Sequence, residues 1–124
     1  MQSTLESYAE WNRGVVVTED LQILAKTHDF DKSELQWFVK MFDDYDTTMS
    51  RGVSVEGHLF EVHRIYDDLI FGRRGAPEGE GFCLTRCKRH GKQAFSFITY
   101  GFPTLSAKAV PELQYFSKSQ VEKL

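Results

Sequence analysis

Leu69-Ile70-Phe71-Gly72-Arg73-Arg74-Gly75 is an apolar strand end that runs into a glycine, two arginines and a second glycine. It sits inside a β-rich pattern between Gly52 and Tyr100. Upstream, Gly52 to His58 reads as a strand with a glycine turn. Leu59 to Ile65 then alternates, with Phe60 and Val62 on one face and Leu59, Glu61 and His63 on the other. Tyr66-Asp67-Asp68 is a turn. Downstream, Gly75 to Gly81 is a flexible seven-residue loop of turn formers. Phe82 to Cys87 is a strand with Phe82 and Leu84 inward. Lys88 to Lys92 is a basic hairpin tip, and Gln93 to Tyr100 is the most apolar strand, suited to a central place.

Helices frame this block. Residues 2–12 read as a short helix, with Ser3 and Glu6 at capping-box spacing and Leu5, Tyr8 and Trp11 as its aromatic stripe. Arg13-Gly14 is expected to stop it. The β-branched run Gly14–Thr18 and the segment Leu21–Lys26 read as two arms of a hairpin turning at Glu19-Asp20. Asp31 and Glu34 form a capping box for a helix whose apolar face is Leu35, Phe38, Val39 and Phe42, ending near Asp43. Residues 43–50 read as a polar loop. A last helix is expected from about Val110 to Lys123, with Pro111 in its first turn and Leu113, Phe116, Val121 and Leu124 inward. Short connections between strands make the sheet mostly antiparallel, giving an α+β class.

The length of 124 residues suits one domain. A chain of this size buries roughly 65–70% of its unfolded surface, enough for a core without metal or disulfide staples. A net charge of −3 does not suggest a nucleic-acid binder. Charge is unevenly placed: residues 19–46 hold eight acids and three lysines, and residues 64–92 hold seven bases and four acids. Such asymmetry can steer an acidic partner to one face, and it equally describes a solvated β-surface. Cys83 and Cys87, four apart on one strand, share a face about 13 Å apart, too far for a disulfide. They read as free thiols of a reducing compartment. With no long apolar run and no basic presequence in the chain, a cytoplasmic protein is expected.

Chemistry-bearing motifs are absent. His28, His58, His63 and His90 are scattered, with no metal-motif spacing. Asp43-Asp44-x-Asp46 opens like a calcium loop but lacks its glycine and distal Glu. Gly75, Gly79 and Gly81 are followed by no Gly-Lys-Ser/Thr. Catalytic readings therefore gain little support, and no enzyme, metal or cofactor is expected.

The tract and its setting resemble profilins, small proteins that bind monomeric actin. The resemblance is carried, in order, by GVVVTEDLQILAKTHDF (14–30), DKSELQWFVKMF (31–42), GVSVEGHLFEVHR (52–64), IFGRRG (70–75) and QAFSFITYGFP (93–103), followed by the closing helix. It implies a central antiparallel sheet with N- and C-terminal helices on one face and a smaller helix on the other. It also implies a partner, monomeric actin or an actin homologue, and an actin face of Leu59, Glu61, His63, Arg64, Phe71, Arg73, Arg74 and Lys108. Arginine suits such a face, because its planar fork grips carboxylates bidentately. Phe71 departs from the family pattern, where many relatives carry a base, and makes the face more apolar. Family members bind proline-rich peptides between the terminal helices; here that implies Tyr8, Trp11 and Tyr115, weakened by Leu24 in place of the family's strand tryptophan. Phosphoinositide binding would fall to Arg73, Arg74, Arg86, Lys88 and Arg89, with Lys92, gathered where strands end. A monomer associated with the cytoskeleton is implied. The rival class is a longin- or roadblock-like subunit that binds a small GTPase or a sister chain through a sheet edge.

Overall fold

The computed structural model describes residues 1–75, 79–101 and 103–123. The middle of the Gly75–Gly81 loop, Phe102, and Leu124 of the last helix's inward stripe lie outside the described residues. Helix α1 (Gln2–Ser7) leads into strand β1 (Trp11–Thr18) and β2 (Ile23–Lys26). Helices α2 (Lys32–Phe38) and α3 (Tyr45–Arg51) follow. Strands β3 (Val53–Val55), β4 (His58–Tyr66), β5 (Leu69–Arg73), β6 (Gly81–Arg89) and β7 (Lys92–Tyr100) then run consecutively to α4 (Ser106–Phe116), which continues as a π-helical segment, Ser117–Glu122.

The seven strands form one sheet in the order β2-β1-β7-β6-β5-β4-β3. Every pairing is antiparallel. Alternation along β1 divides the interior in two. Val15 and Val17 join Phe82, Leu84, Phe95 and Phe97 beneath α2, where Phe38 stacks on Phe97 at 4.1 Å. Val16 joins Cys83 and Ile98 beneath Leu5, Leu113 and Phe116 of the terminal helices. The terminal helices thus share one face and the small helices cover the other, as expected.

Several local expectations are corrected. Helix α1 starts at Gln2 after Met1 with no side-chain cap, so Ser3 and Glu6 form no capping box, and it ends at Ser7. Trp11 and Arg13 instead pair with Tyr100 and Thr99 of β7, so long-range pairing outweighs the helical stripe. Gly14 is no helix stop; it lies within β1, where an added Cβ would stand 3.0 Å from Leu5 Cδ1. Helix α2 keeps its capping box but ends at Phe38, short of Asp43. The polar stretch after it is α3, because the Asp44 carboxylate accepts the Thr47 N–H at 3.1 Å and caps a new helix. Finally, α4 begins at Ser106, not Val110. The Leu105 carbonyl accepts the Lys108 and Ala109 amides, and the Tyr100 hydroxyl bonds Ser106 Oγ at 2.7 Å. Pro111 therefore lies inside the helix, where its missing N–H leaves the carbonyl of Ala107 without its intrahelical donor.

Candidate functional site

The Leu69–Gly75 tract ends at two different surfaces. Gly72 is required by packing: a Cβ there would stand 1.8 Å from the Glu61 carbonyl oxygen and 2.9 Å from the Phe82 ring. Its absence lets β4 and β5 pair closely. Gly75 turns the chain out of β5 with φ +64°.

Along β5, Leu69 and Phe71 point to the face of the terminal helices, and Ile70 points to the other. On the helix side α4 and the π-helical segment rest chiefly on β6 and β7. That leaves β4, and β5 beyond the buried Leu69, uncovered on this side. Arg64 lies opposite Phe71, and Glu61 lies opposite Arg73. The register shift between Val62 and Arg64 is a bulge at His63, whose Nε2 lies 4.0 Å from Glu61 Oε2. Tyr66, 55% exposed, stacks on Phe71 at 6.5 Å between ring centroids. Between this strip and α4 runs an open groove of about 1210 Å³, lined among others by Tyr66, Leu69, Thr85, Gln114 and Lys118. Leu59, Glu61, His63, Arg64, Phe71 and Arg73 therefore share one uncovered face.

Arg74 and Lys108 do not join it. Arg74 turns to the opposite face, its guanidinium 5.8 Å over the Phe60 ring, and its Nε donates to Glu80 Oε1 at 3.3 Å. Lys108 lies on the flank of α4 that faces the start of β1, its Nζ 3.8 Å from Glu10 Oε1. Gln114 and Lys118 occupy the other flank.

Glu80 is the centre of a second cluster. Its Oε2 accepts Asn12 Nδ2 at 3.0 Å and Arg13 Nη1 at 2.8 Å. Arg13 Nη2 reaches on to Glu56 at 2.9 Å. Burial alone would raise the Glu80 carboxyl; the hydrogen bond from Asn12, the charge of Arg13 and the hydrogen bond from Arg74 outweigh it and hold the group below the usual carboxylate range. The backbone is tied as well: Arg74 N–H donates to Glu80 O at 2.9 Å, and Arg73 Nη1 donates to Gly79 O at 2.7 Å.

At the terminal-helix seam, Tyr8 stacks on Trp11 at 3.9 Å with Phe116 edge-on to both rings. Trp11, expected in an open trough, is only 5% exposed, whereas Tyr115 is 69% exposed. The open aromatic surface is therefore Tyr8 and Tyr115. Leu24 packs against the same cluster. Burial, then the neighbouring Glu10 carboxyl, raise the proton affinity of Glu112 on this seam.

The five bases expected to gather are split. Arg73 pairs with Gly81, whereas Arg89 pairs with Lys92 at the far end of β6, about 26 Å along the strand. Arg86 is held by Asp68 at 3.3 Å and lies 4.4 Å over the Phe42 ring. Arg89 donates to the Val121 carbonyl at 3.0 Å, and Lys88 is exposed. Burial raises the Cys83 thiol, and raises Cys87 against a compensating contact with Ser117, so neither is activated. Among the described residues no group of His, Cys, Asp or Glu could hold a metal ion, and no helix is long and apolar enough to cross a membrane.

Sequence reasoning missed Tyr66, Gln114, Lys118 and Glu80. Tyr66 could have been found as the aromatic ending an alternating strand. Glu80, between two glycines, carries no local sign of burial.

A seven-stranded antiparallel sheet with terminal helices on one face and small helices on the other, bearing an uncovered two-strand surface, is a profilin-like fold. Profilin II of Acanthamoeba castellanii superposes with a TM-score of 0.78 at 14% identity, over 94% of this chain and 93% of that one. Schizosaccharomyces pombe profilin gives 0.74 at 16% identity, over 90% and 86%. LokiProfilin1 gives 0.69 at 10% identity, over the full length of both chains. No protein-family model and no curated protein matches the chain.

Proposed function

We propose that this protein binds monomeric actin, or an actin homologue, through the uncovered face of β4 and β5, and so regulates filament assembly. The observation that carries this reading is the Tyr66–Phe71 stack on a sheet face left open by α4, edged by Arg64 and Arg73. An exposed tyrosine resting on a half-buried phenylalanine, with arginines at the margin, has the composition of an interface centre. The partner follows from the family resemblance. Binding at one end of the monomer would block nucleation while permitting barbed-end delivery, which places the protein in the cytoplasm with the cytoskeleton.

The test is pyrene-actin polymerisation with calorimetry, using a cognate actin. Excess protein should slow nucleation, and Arg73→Glu should weaken the complex by several kcal/mol if the arginine is desolvated against acids, about 2–5 kcal/mol. Unchanged nucleation and no heat of binding at large excess would refute the reading.

Two weaker activities belong to the same proposal. Tyr8 and Tyr115, with Trp11 beneath, offer a small surface for proline-rich segments. Lys88, with Arg86 and Arg89, offers one basic end for phosphoinositide surfaces, and Arg73 stands apart at the other end of β6.

A further inference from the structure

We propose that Glu80 is a positioning residue for the partner-binding face, acting through the backbone of Gly79 on Arg73, and that Arg74 is an internal clamp rather than a contact. The inference rests on the function proposed above for β4 and β5.

Arg73 and Arg74 are adjacent, yet they meet different fates. Arg73 lies on the uncovered face opposite Glu61. A long side chain there is costly to order, since an arginine loses rotamer freedom worth up to about 2 kcal/mol when it is fixed. The structure settles that beforehand by giving its Nη1 one acceptor, the Gly79 carbonyl at 2.7 Å. That carbonyl is only as well placed as the next residue. Glu80 is 8% exposed, and three side chains from two separate elements converge on its carboxylate: Asn12 and Arg13 from β1, and Arg74 from the end of β5. Both of its oxygens are engaged. The Arg74 amide holds the Glu80 carbonyl from the other side. Glu80 therefore pins the returning chain to the sheet, and the pinned chain presents Arg73 in one orientation. Arg74 contributes its charge to this anchor from the opposite face of the sheet, where a partner on β4 and β5 does not reach it.

Two measurements test this, one without the partner. In the free protein, nitrogen-15 spectra should show the Arg73 Nη groups resolved by hindered rotation, and Glu80→Gln and Arg74→Met should each collapse them to an averaged signal. Arg73 signals unchanged in Glu80→Gln would overturn the proposal, whether or not actin binds. With actin, calorimetry on variants shown to be folded should find Glu80→Gln and Arg74→Met each weakening binding about fivefold, the size of one lost hydrogen bond. The double variant Arg73→Met with Glu80→Gln should bind no more weakly than Arg73→Met alone. Additive losses would mean that Glu80 does not act through Arg73, and a loss for Arg74→Met well beyond that for Glu80→Gln would make Arg74 a direct contact; either result overturns the assignment. Failure of the parent protein to bind actin would instead count against the proposed function, and the spectra would still decide the role of Glu80.

Discussion

Glu80 shows how one buried carboxylate can organise residues that are distant in the chain. Asn12 and Arg13 approach it from the first strand and Arg74 from the fifth. Its proton affinity is lowered in the folded state. The cluster therefore contributes its full stability above the ordinary carboxylate range and loses it as pH falls through the lower folded value. Glu80→Gln should cost about 1–3 kcal/mol near neutral pH, since it leaves buried donors less well paired. Urea unfolding across pH checks this: the gap to the parent protein should narrow below about pH 4. A gap of constant size would assign the loss to packing. The glycines of the tract were legible as punctuation, but the specific demand on Gly72 was not. The demand comes from Glu61, eleven positions away on a paired strand.

Elements with a local cause were read correctly, and elements with a distant cause were not. The capping box at Asp31 and Glu34 is a four-residue interaction, and α2 starts where it indicates. Strands β4, β5, β6 and β7 follow their alternation and turn residues; His90-Gly91, with φ of 51° and 81°, closes the β6–β7 hairpin in two residues. The start of β1 was misread because Leu5, Tyr8 and Trp11 have helical spacing while Trp11 is taken by β7. Helix α3 was misread because its composition is polar and its cap was taken for loop chemistry. Asp44→Ala should therefore destabilise the protein, seen as a lower urea midpoint with an unchanged slope. No change in midpoint would mean that α3 is held by packing alone.

At the scale of the whole molecule, the sheet order decides what can act as a surface. With β7 and β6 covered by α4, and β4 and β5 left open, the apolar content of the exposed strip is confined to Tyr66, Phe71 and Leu59. The edge strands β2 and β3 are short, and Gln2 occupies the amide and carbonyl of Lys26 on β2. Short, blocked edges disfavour strand-to-strand association. The protein should sediment as a monomer near 14.3 kDa at micromolar concentration. A stable dimer would favour the longin- or roadblock-like mode of action over actin binding.

The sequence by itself determined the α+β class, the hairpin order, the capped second helix and the polarity of each strand face, because these follow from neighbours within a few residues. It also marked Arg73 and Phe71 as surface candidates. Only the tertiary structure decided that Arg73 and Arg74 part company, that Trp11 is core, that Lys108 faces away, and that the bases of β5 and β6 lie at opposite ends. Each of those depends on which strand lies beside which and on where α4 rests. Pairings of that kind join residues up to eighty-nine positions apart, as Trp11 and Tyr100 are, and no local pattern encodes them.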